Sequence, residues 1–592
     1  MLKKPRNRAA RVSIESIPPP VGGLNTLNSI ADMPPTDALI LDNYFPGPGG
    51  VPLRNGFEEW ASGITGNVET VAVYDSGVTQ RMFAIAGGAL YDVTARAAVG
   101  APVLTGLSNS RWQWANFGNA GGQYLWMCNG VDYPLIYDGT TWHTVRTASA
   151  QAISSITASG TLATLTTVTP HGLVDGDQIT VSGAVPASYN GTFTITATGD
   201  NTLTYETANP PPGSATTVGT YAVLWSITGV DPRTFVNVTA FQNRLWFATV
   251  ESFTPYYLGL DAVSGVASGF NVAPEMELGG YLMGMATWTL DNSAGLNEYL
   301  CFVSSNGEVV VYVGYDPTLS SAWSLSAKFR IGRPLGRRFY EKVGSDLVFA
   351  TSDGLTPLSK ALLTDRSQLQ SEDTYKIGPS VNSDAQTYGQ NFGWQPILFP
   401  SGNKLIINVP TAEDQSARQY VMNTLTNAWC RFTGWNANTF ALFNDELFFG
   451  GAGMVARADV NADDNGTVIN GDFQPAFSYF SLRGRKKAFK MVRPIILANS
   501  QIALTLDLSV DFLTSLPSSS PGLSVSDSAP WDATKWDTMP WGDAQSIIKD
   551  WVSVNGQGFA GTVRIRSATR GISFSIQAID WMYEPAAIGF LG

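Results

Sequence analysis

At 592 residues the chain exceeds what one hydrophobic core of ordinary size holds, so several domains are expected. Its 36 Lys and Arg against 48 Asp and Glu leave a net charge of -12, which argues against a general nucleic-acid-binding surface, since such surfaces need clustered cations. Charged residues make up only 14%, below the roughly 25% of ordinary soluble proteins, and three isolated cysteines, Cys128, Cys301 and Cys430, exclude a disulfide framework and fit reduced thiols.

Residues 1–20 form a basic segment ending in Pro18-Pro19-Pro20 and are expected to be a flexible arm. The segment lacks an apolar stretch of signal-peptide length, and no run in the chain is long enough to span a bilayer, so cytosolic assembly without a membrane anchor is expected. Residues 21–150 open with Gly22-Gly23-Leu24-Asn25, then Asp42-Asn43-Tyr44-Phe45-Pro46, and then Arg54-Asn55-Gly56-Phe57. This series resembles the opening of the nozzle or hub proteins of short-tailed bacteriophages.

From Val71 to Asp459 short apolar runs alternate with Gly, Asn or Asp turns. Examples are Asn243-Arg244-Leu245-Trp246-Phe247-Ala248 and Asp346-Leu347-Val348-Phe349-Ala350. Runs that are apolar on both faces fit strands covered on both sides, and their spacing of roughly 40 residues is blade-sized, so an irregular β-propeller is expected. A stack of sandwiches would leave similar local signals. Tyr137-Asp138-Gly139-Thr140-Thr141-Trp142 is similar to the structural Asp-box turn of sialidase propellers but is one residue shorter, and His143 follows it. Neither His143 nor His171 has a partner at zinc-ligand spacing.

Residues 151–222 interrupt this pattern. Ile179 and Val181, Phe193 and Ile195, and Leu203 and Tyr205 alternate with polar residues, and Asn190-Gly191 offers the positive-φ chemistry of a tight hairpin turn. A compact, inserted antiparallel module is expected. The string from His171 to Tyr205 resembles a small β-barrel, akin to a domain of ubiquitin-activating enzymes, that recurs as an add-on in phage tail proteins. That likeness implies decoration or a contact surface and brings no catalytic group. We expect the module to project outward from the assembly.

Residues 223–471 are expected to complete the propeller, with 364–391 as a polar loop that has room for a short helix. Asp459-Val460-Asn461-Ala462-Asp463-Asp464-Asn465-Gly466 approaches a calcium loop, but its Gly is displaced and Asn470 stands where a bidentate Glu belongs. A solvated turn is the better reading. Residues 472–592 change to alternating strands, with Ile502, Leu504, Leu506, Leu508 and Val510 on one face and Ile572, Phe574 and Ile576 on another, which predicts a C-terminal sandwich or platform. Trp531, Trp536 and Trp541 punctuate a Ser/Pro/Gly-rich stretch there, as caps on the core or as partner contacts.

Two basic clusters stand against the acidic background: Arg330, Arg333, Arg337 and Arg338, and Arg483, Arg485, Lys486 and Lys487 with Lys490. They are candidates for subunit or DNA-channel contacts, weighed against plain solvated faces or ion pairs with the surplus carboxylates. No phosphate loop, nucleophile elbow, triad or selected carboxylate pair is present, so no catalytic, cofactor or metal residue is assigned. The fold class expected is all-β and multidomain. The resemblance implies a non-enzymatic virion component: a homo-oligomeric ring, commonly of six, below the head-to-tail adaptor, enclosing the channel for genomic DNA, with inward loops as candidate gates; whether tail fibres attach to it is left open. The alternative is a propeller-type tail protein that binds or degrades host surface polysaccharide.

Overall fold

The computed structural model describes residues 12–147, 151–292, 295–361, 376–513 and 546–586. Among them, seven antiparallel sheets follow one another around a closed ring. Their first strands are Val68–Asp75, Gln113–Asn119, Phe235–Phe241, Leu282–Asn292, Tyr340–Val343, Gln395–Phe399 and Thr439–Phe443. Each blade packs on the next, and the seventh returns to the first. The ring is shut by an early strand: Gly56–Ser62 pairs antiparallel with Met454–Val460 and so completes the seventh blade.

The continuously apolar runs are explained by this packing. Leu245 and Phe247 join a core shared with Trp126 of the preceding blade, whereas Trp246 and Ala248 join one shared with Phe302 of the next. Likewise Leu347 and Phe349 face one neighbour while Val348 and Ala350 face the other. Every second side chain therefore serves a different interface, and a polar residue at either position would be buried.

Adjacent innermost strands are linked by side chains that imitate a sheet ladder. Gln395 Nε2 donates to the Phe440 carbonyl and its Oε1 accepts from Phe440 N–H, both at 2.9 Å. Asn116 clamps the Val73 carbonyl and the Asp75 N–H in the same way, and Asn237 Oδ1 accepts from Met285 N–H. Glu341 fills the equivalent place against the backbone of Leu398 with a carboxyl group.

The sixth blade continues into the C-terminal region. Its last strand, Trp429–Thr433, lies beside Asp37–Asp42, and the same sheet runs on through Ile469–Pro475 and Gly561–Thr569 to Leu504–Val510. A second sheet faces it, built of Ser13–Ile17, Phe574–Pro585 and Lys487–Ala498 with the shorter strands Ser546–Ile548 and Val552–Gly558. Phe473, Leu506 and Ile565 of one sheet and Phe489, Ile576 and Trp581 of the other belong to a single core that also holds Trp429 and Trp435. Propeller and platform thus share both a sheet and a core.

Two expectations need correction. Within the supposed arm of residues 1–20, Ser13–Ile17 is a strand on Phe574–Pro585, held by the buried Ile17 and by Tyr583 Oη donating to Glu15 at 3.0 Å; residues 1–11 lie outside the described residues. In the inserted module, Asn190-Gly191 is not a two-residue hairpin turn. Asn190 closes a longer loop through its side-chain amide, which donates to the Ala184 carbonyl and accepts from the Ala184 N–H, both at 2.8 Å. Of the polar loop expected over 364–391, residues 364–375 lie outside the described residues, and the rest contains the helix Gly378–Tyr388.

The module itself is a closed barrel of six strands, from Gln151–Ser159 to Thr220–Val223, set between the second and third blades. Ile179, Val181, Ile195, Leu203 and Tyr205 fill its own core, and Phe193 stacks on Tyr205 at 4.4 Å. Its stem is the parallel pair Arg146–Thr147 and Ser226–Thr228.

Candidate functional site

The N-terminal motifs converge on the joint between ring and platform. Gly23 adopts a φ of +86°, and a Cβ there would meet the Trp429 backbone at 2.6 Å, so the close approach requires glycine. Arg54 is buried and grips Asp464 bidentately at 2.8 and 2.7 Å. Its Nε donates to Asn43 Oδ1 at 2.8 Å, and its guanidinium lies 5.2 Å from the Trp435 ring centroid. Asn43 in turn donates to Thr433 Oγ1 and to the Asn470 carbonyl. The acidic loop that approached a calcium pattern is spent here: Asp464 is bound to Arg54, Asp459 to Lys404 at 2.7 Å, and Asp463 accepts from Gly466 N–H. These motifs build a buried mechanical joint.

A concave site lies at the axial mouth of the propeller. Loops entering the first strands of several blades line a cleft of about 660 Å³, with Arg111, Arg333, Arg337, Arg338, Phe392 and Trp394 among its walls. Gly336, at a φ of +73°, turns the chain between Leu335 and the two arginines. The helix Gly378–Tyr388 anchors the opposite wall: Trp394 Nε1 donates to the Tyr388 carbonyl, while Asp384 accepts from Tyr420 Oη and pairs with Arg418.

The half-buried Arg338 donates to the Glu69 carbonyl, to Thr70 Oγ1 and to the Trp112 carbonyl at 2.9–3.0 Å. Burial pulls its guanidinium down to about 10, partly offset by the charge of Glu69, so it remains a cation at neutral pH. Arg337 is also lowered by burial, and it donates to the Met283 carbonyl at 3.0 Å. Arg111 is different, because Glu69 at 2.7 Å and Glu413 both engage it. Phe392 lies under both Arg111 and Arg338, with its centroid 4.4 and 5.3 Å from their guanidinium carbons.

Of the first basic cluster, then, the structure brings Arg333, Arg337 and Arg338 together and leaves Arg330 elsewhere, ion-paired with the exposed Glu277 at 2.6 Å. Nothing in the sequence marked Arg111, which enters the cleft from a different blade 222 positions earlier than Arg333 (333 less 111). The second cluster divides as well. Arg483 is exposed against Tyr479 and pairs with Asp32 at 3.7 Å, Arg485 offers a turn carbonyl, Lys486 reaches over Phe559 and Lys490 approaches Glu584 at 3.8 Å. Lys487 is no surface contact: it is buried, and its ammonium donates to the carbonyls of Leu482, Arg485 and Phe559. Trp531, Trp536 and Trp541 lie outside the described residues.

The histidines have structural partners. His143 Nε2 lies 2.8 Å from Asp138 Oδ2 and its ring stacks on Trp225. Burial would raise the Asp138 carboxyl, but hydrogen bonds from His143, Thr140 and Thr141 prevail and hold it at about 2. His171 Nε2 lies 2.9 Å from the Gly199 carbonyl, and its Nδ1 accepts from Leu173 N–H. Among the described residues no group of three His, Cys, Asp or Glu could hold a metal ion.

No family model matches the chain, and neither does any curated protein. Among solved structures it is similar to YCF48 bound to a D1 peptide, at 10% identity and a TM-score of 0.26, over 69% of this chain and 96% of that one. It is also similar to the dihydro-heme d1 dehydrogenase NirN in complex with DHE, at 11% and 0.30 over 61% and 66%, and to the phage phi92 endosialidase, at 10% and 0.20 over 91% and 70%. At these scores the likenesses carry no functional argument, and the propeller assignment stands on the sheet topology.

Proposed function

We propose that this chain is a structural subunit of a bacteriophage tail, forming the ring-shaped nozzle or hub at the distal end of a short tail. The observation that supports the reading is the joint: the three N-terminal motifs that carry the resemblance are the residues that weld the closed propeller to the platform. A subunit that must keep a channel open while DNA passes needs a body that does not flex between its parts, and a shared sheet and core meet that need. Its acidic surplus suits a lumen from which a polyanion slides away.

The test is native mass spectrometry of the purified chain, followed by cryo-electron microscopy of virions. The reading expects a ring, commonly of six copies, at the distal end of the tail with the -12 surplus turned toward its lumen. Absence of the chain from purified tails would overturn it. Release of oligosaccharides from host surface glycans by the purified protein, abolished by substituting one carboxylate pair, would support the polysaccharide-degrading alternative instead.

A further inference from the structure

Three arginines in one concave site are out of keeping with a chain of net charge -12 and few charged residues. Among the described residues, Arg333, Arg337 and Arg338 have no carboxylate within ion-pair distance; Glu69 and Glu413 both pair with Arg111. Arg333 is exposed at the rim, Arg337 uses one of its five N–H groups on a carbonyl, and Arg338 is fixed from behind by three acceptors. Arginine forks held this way are pre-organised for planar oxygen pairs. The cleft volume falls within the roughly 300–1,000 Å³ of small-molecule sites, and the Phe392 ring supplies an apolar wall.

We propose that the axial cleft is a binding site for a small molecule bearing an oxyanion, a carboxylate or a phosphate, which Arg333 and Arg337 engage directly while Arg338 supplies positive potential from the floor. Arg337 and Arg338 are held from water without a directly paired carboxylate, which is unfavourable, and a bound anion would relieve that cost. The depression of Arg337 and Arg338 by burial is in keeping with this. The proposal rests on residues of one chain alone, so it goes beyond the tail reading and does not depend on it.

Isothermal titration calorimetry of the full chain tests the proposal with three probes: inorganic phosphate, D-glucuronate and neutral D-glucose. Saturable binding of phosphate or glucuronate, tighter than about 10 mM and absent for glucose, is expected. Phosphate alone would identify a phosphoryl ligand, and glucuronate alone an acidic sugar. Arg333→Gln, and Arg333→Gln combined with Arg337→Gln, should weaken that binding by roughly tenfold or more, whereas Arg330→Gln, outside the cleft, should leave it unchanged. Arg333 is exposed and its side chain makes no hydrogen bond or ion pair among the described residues, so its variant tests the site even where the double variant is misfolded. The proposal fails where neither anion binds, or where binding is indifferent to Arg333→Gln.

Discussion

Removing the Arg54 guanidinium would leave Asp464 buried beside an empty space, with Asn43 and the Thr433 carbonyl each losing a donor. The side chains of Arg54 and Asp464 are 0% and 9% exposed, so solvent does not make good the loss. Arg54→Ala should therefore destabilise the chain by about 3–5 kcal/mol, read from denaturant midpoints, and Arg54→Lys should rescue little because the bidentate geometry is lost. Glu341 sets a different expectation. Burial raises its carboxyl from an ordinary 4.5 to about 7, against opposition from the Leu398 backbone and the charge of Lys342. The folded chain then holds a proton that the unfolded chain has released, so this stabilisation is complete below about 4.5 and is lost as pH climbs through about 7. Glu341→Gln, which copies the amide clamps Asn116 and Gln395, should raise the melting temperature at pH 8 and leave it nearly unchanged at pH 4.5. An equal gain at both pH values would reject this assignment. Neither residue's role was legible in the sequence: Arg54 was visible as a motif letter, but its partner lies 410 positions away, and Glu341 looks like any polar residue at the start of a strand.

Among the elements, the inserted barrel is the most self-contained. Its core is its own, and it meets the propeller through a parallel stem whose Arg146 reaches Asp177 at 3.3 Å. Replacing residues 151–222 with a short Gly/Ser linker should leave the thermal unfolding of the remainder within a few degrees of wild type, since closing a short surface loop costs little, and under the proposed tail reading it should leave ring assembly intact. Loss of rings in that variant would show instead that the barrel is an assembly contact. The alternation of Ile179, Val181, Ile195 and Leu203 was readable because one face of each strand is wet and the other dry. The turn at Asn190-Gly191 was not, because the same asparagine chemistry serves either a positive φ or an amide clamp, and only the length of the surrounding loop decides. Ser13–Ile17 was missed for a related reason: its register partner, Phe574–Pro585, lies at the far end of the chain, and a five-residue strand after a basic stretch carries no periodic signal of its own.

For the molecule as a whole, the all-β class and the blade-like repeats were legible because each strand serves two dry interfaces, as Leu245 to Ala248 do. The count of blades was not, since three-strand and four-strand blades alternate irregularly and one carries a barrel. Nor could spacing reveal that the sixth blade extends into the platform, which is decided by the parallel contact of Asp42 with Arg431. The pairing of Gly56–Ser62 with Met454–Val460 also bears on biogenesis. A strand made early in translation must wait, with its edge open, until nearly four hundred further residues have left the ribosome. A chain released before Met454 can neither shut the circle nor hide that edge. Completion of the ring is thereby tied by the topology to completion of synthesis, and a truncated chain should show faster limited proteolysis than the full one.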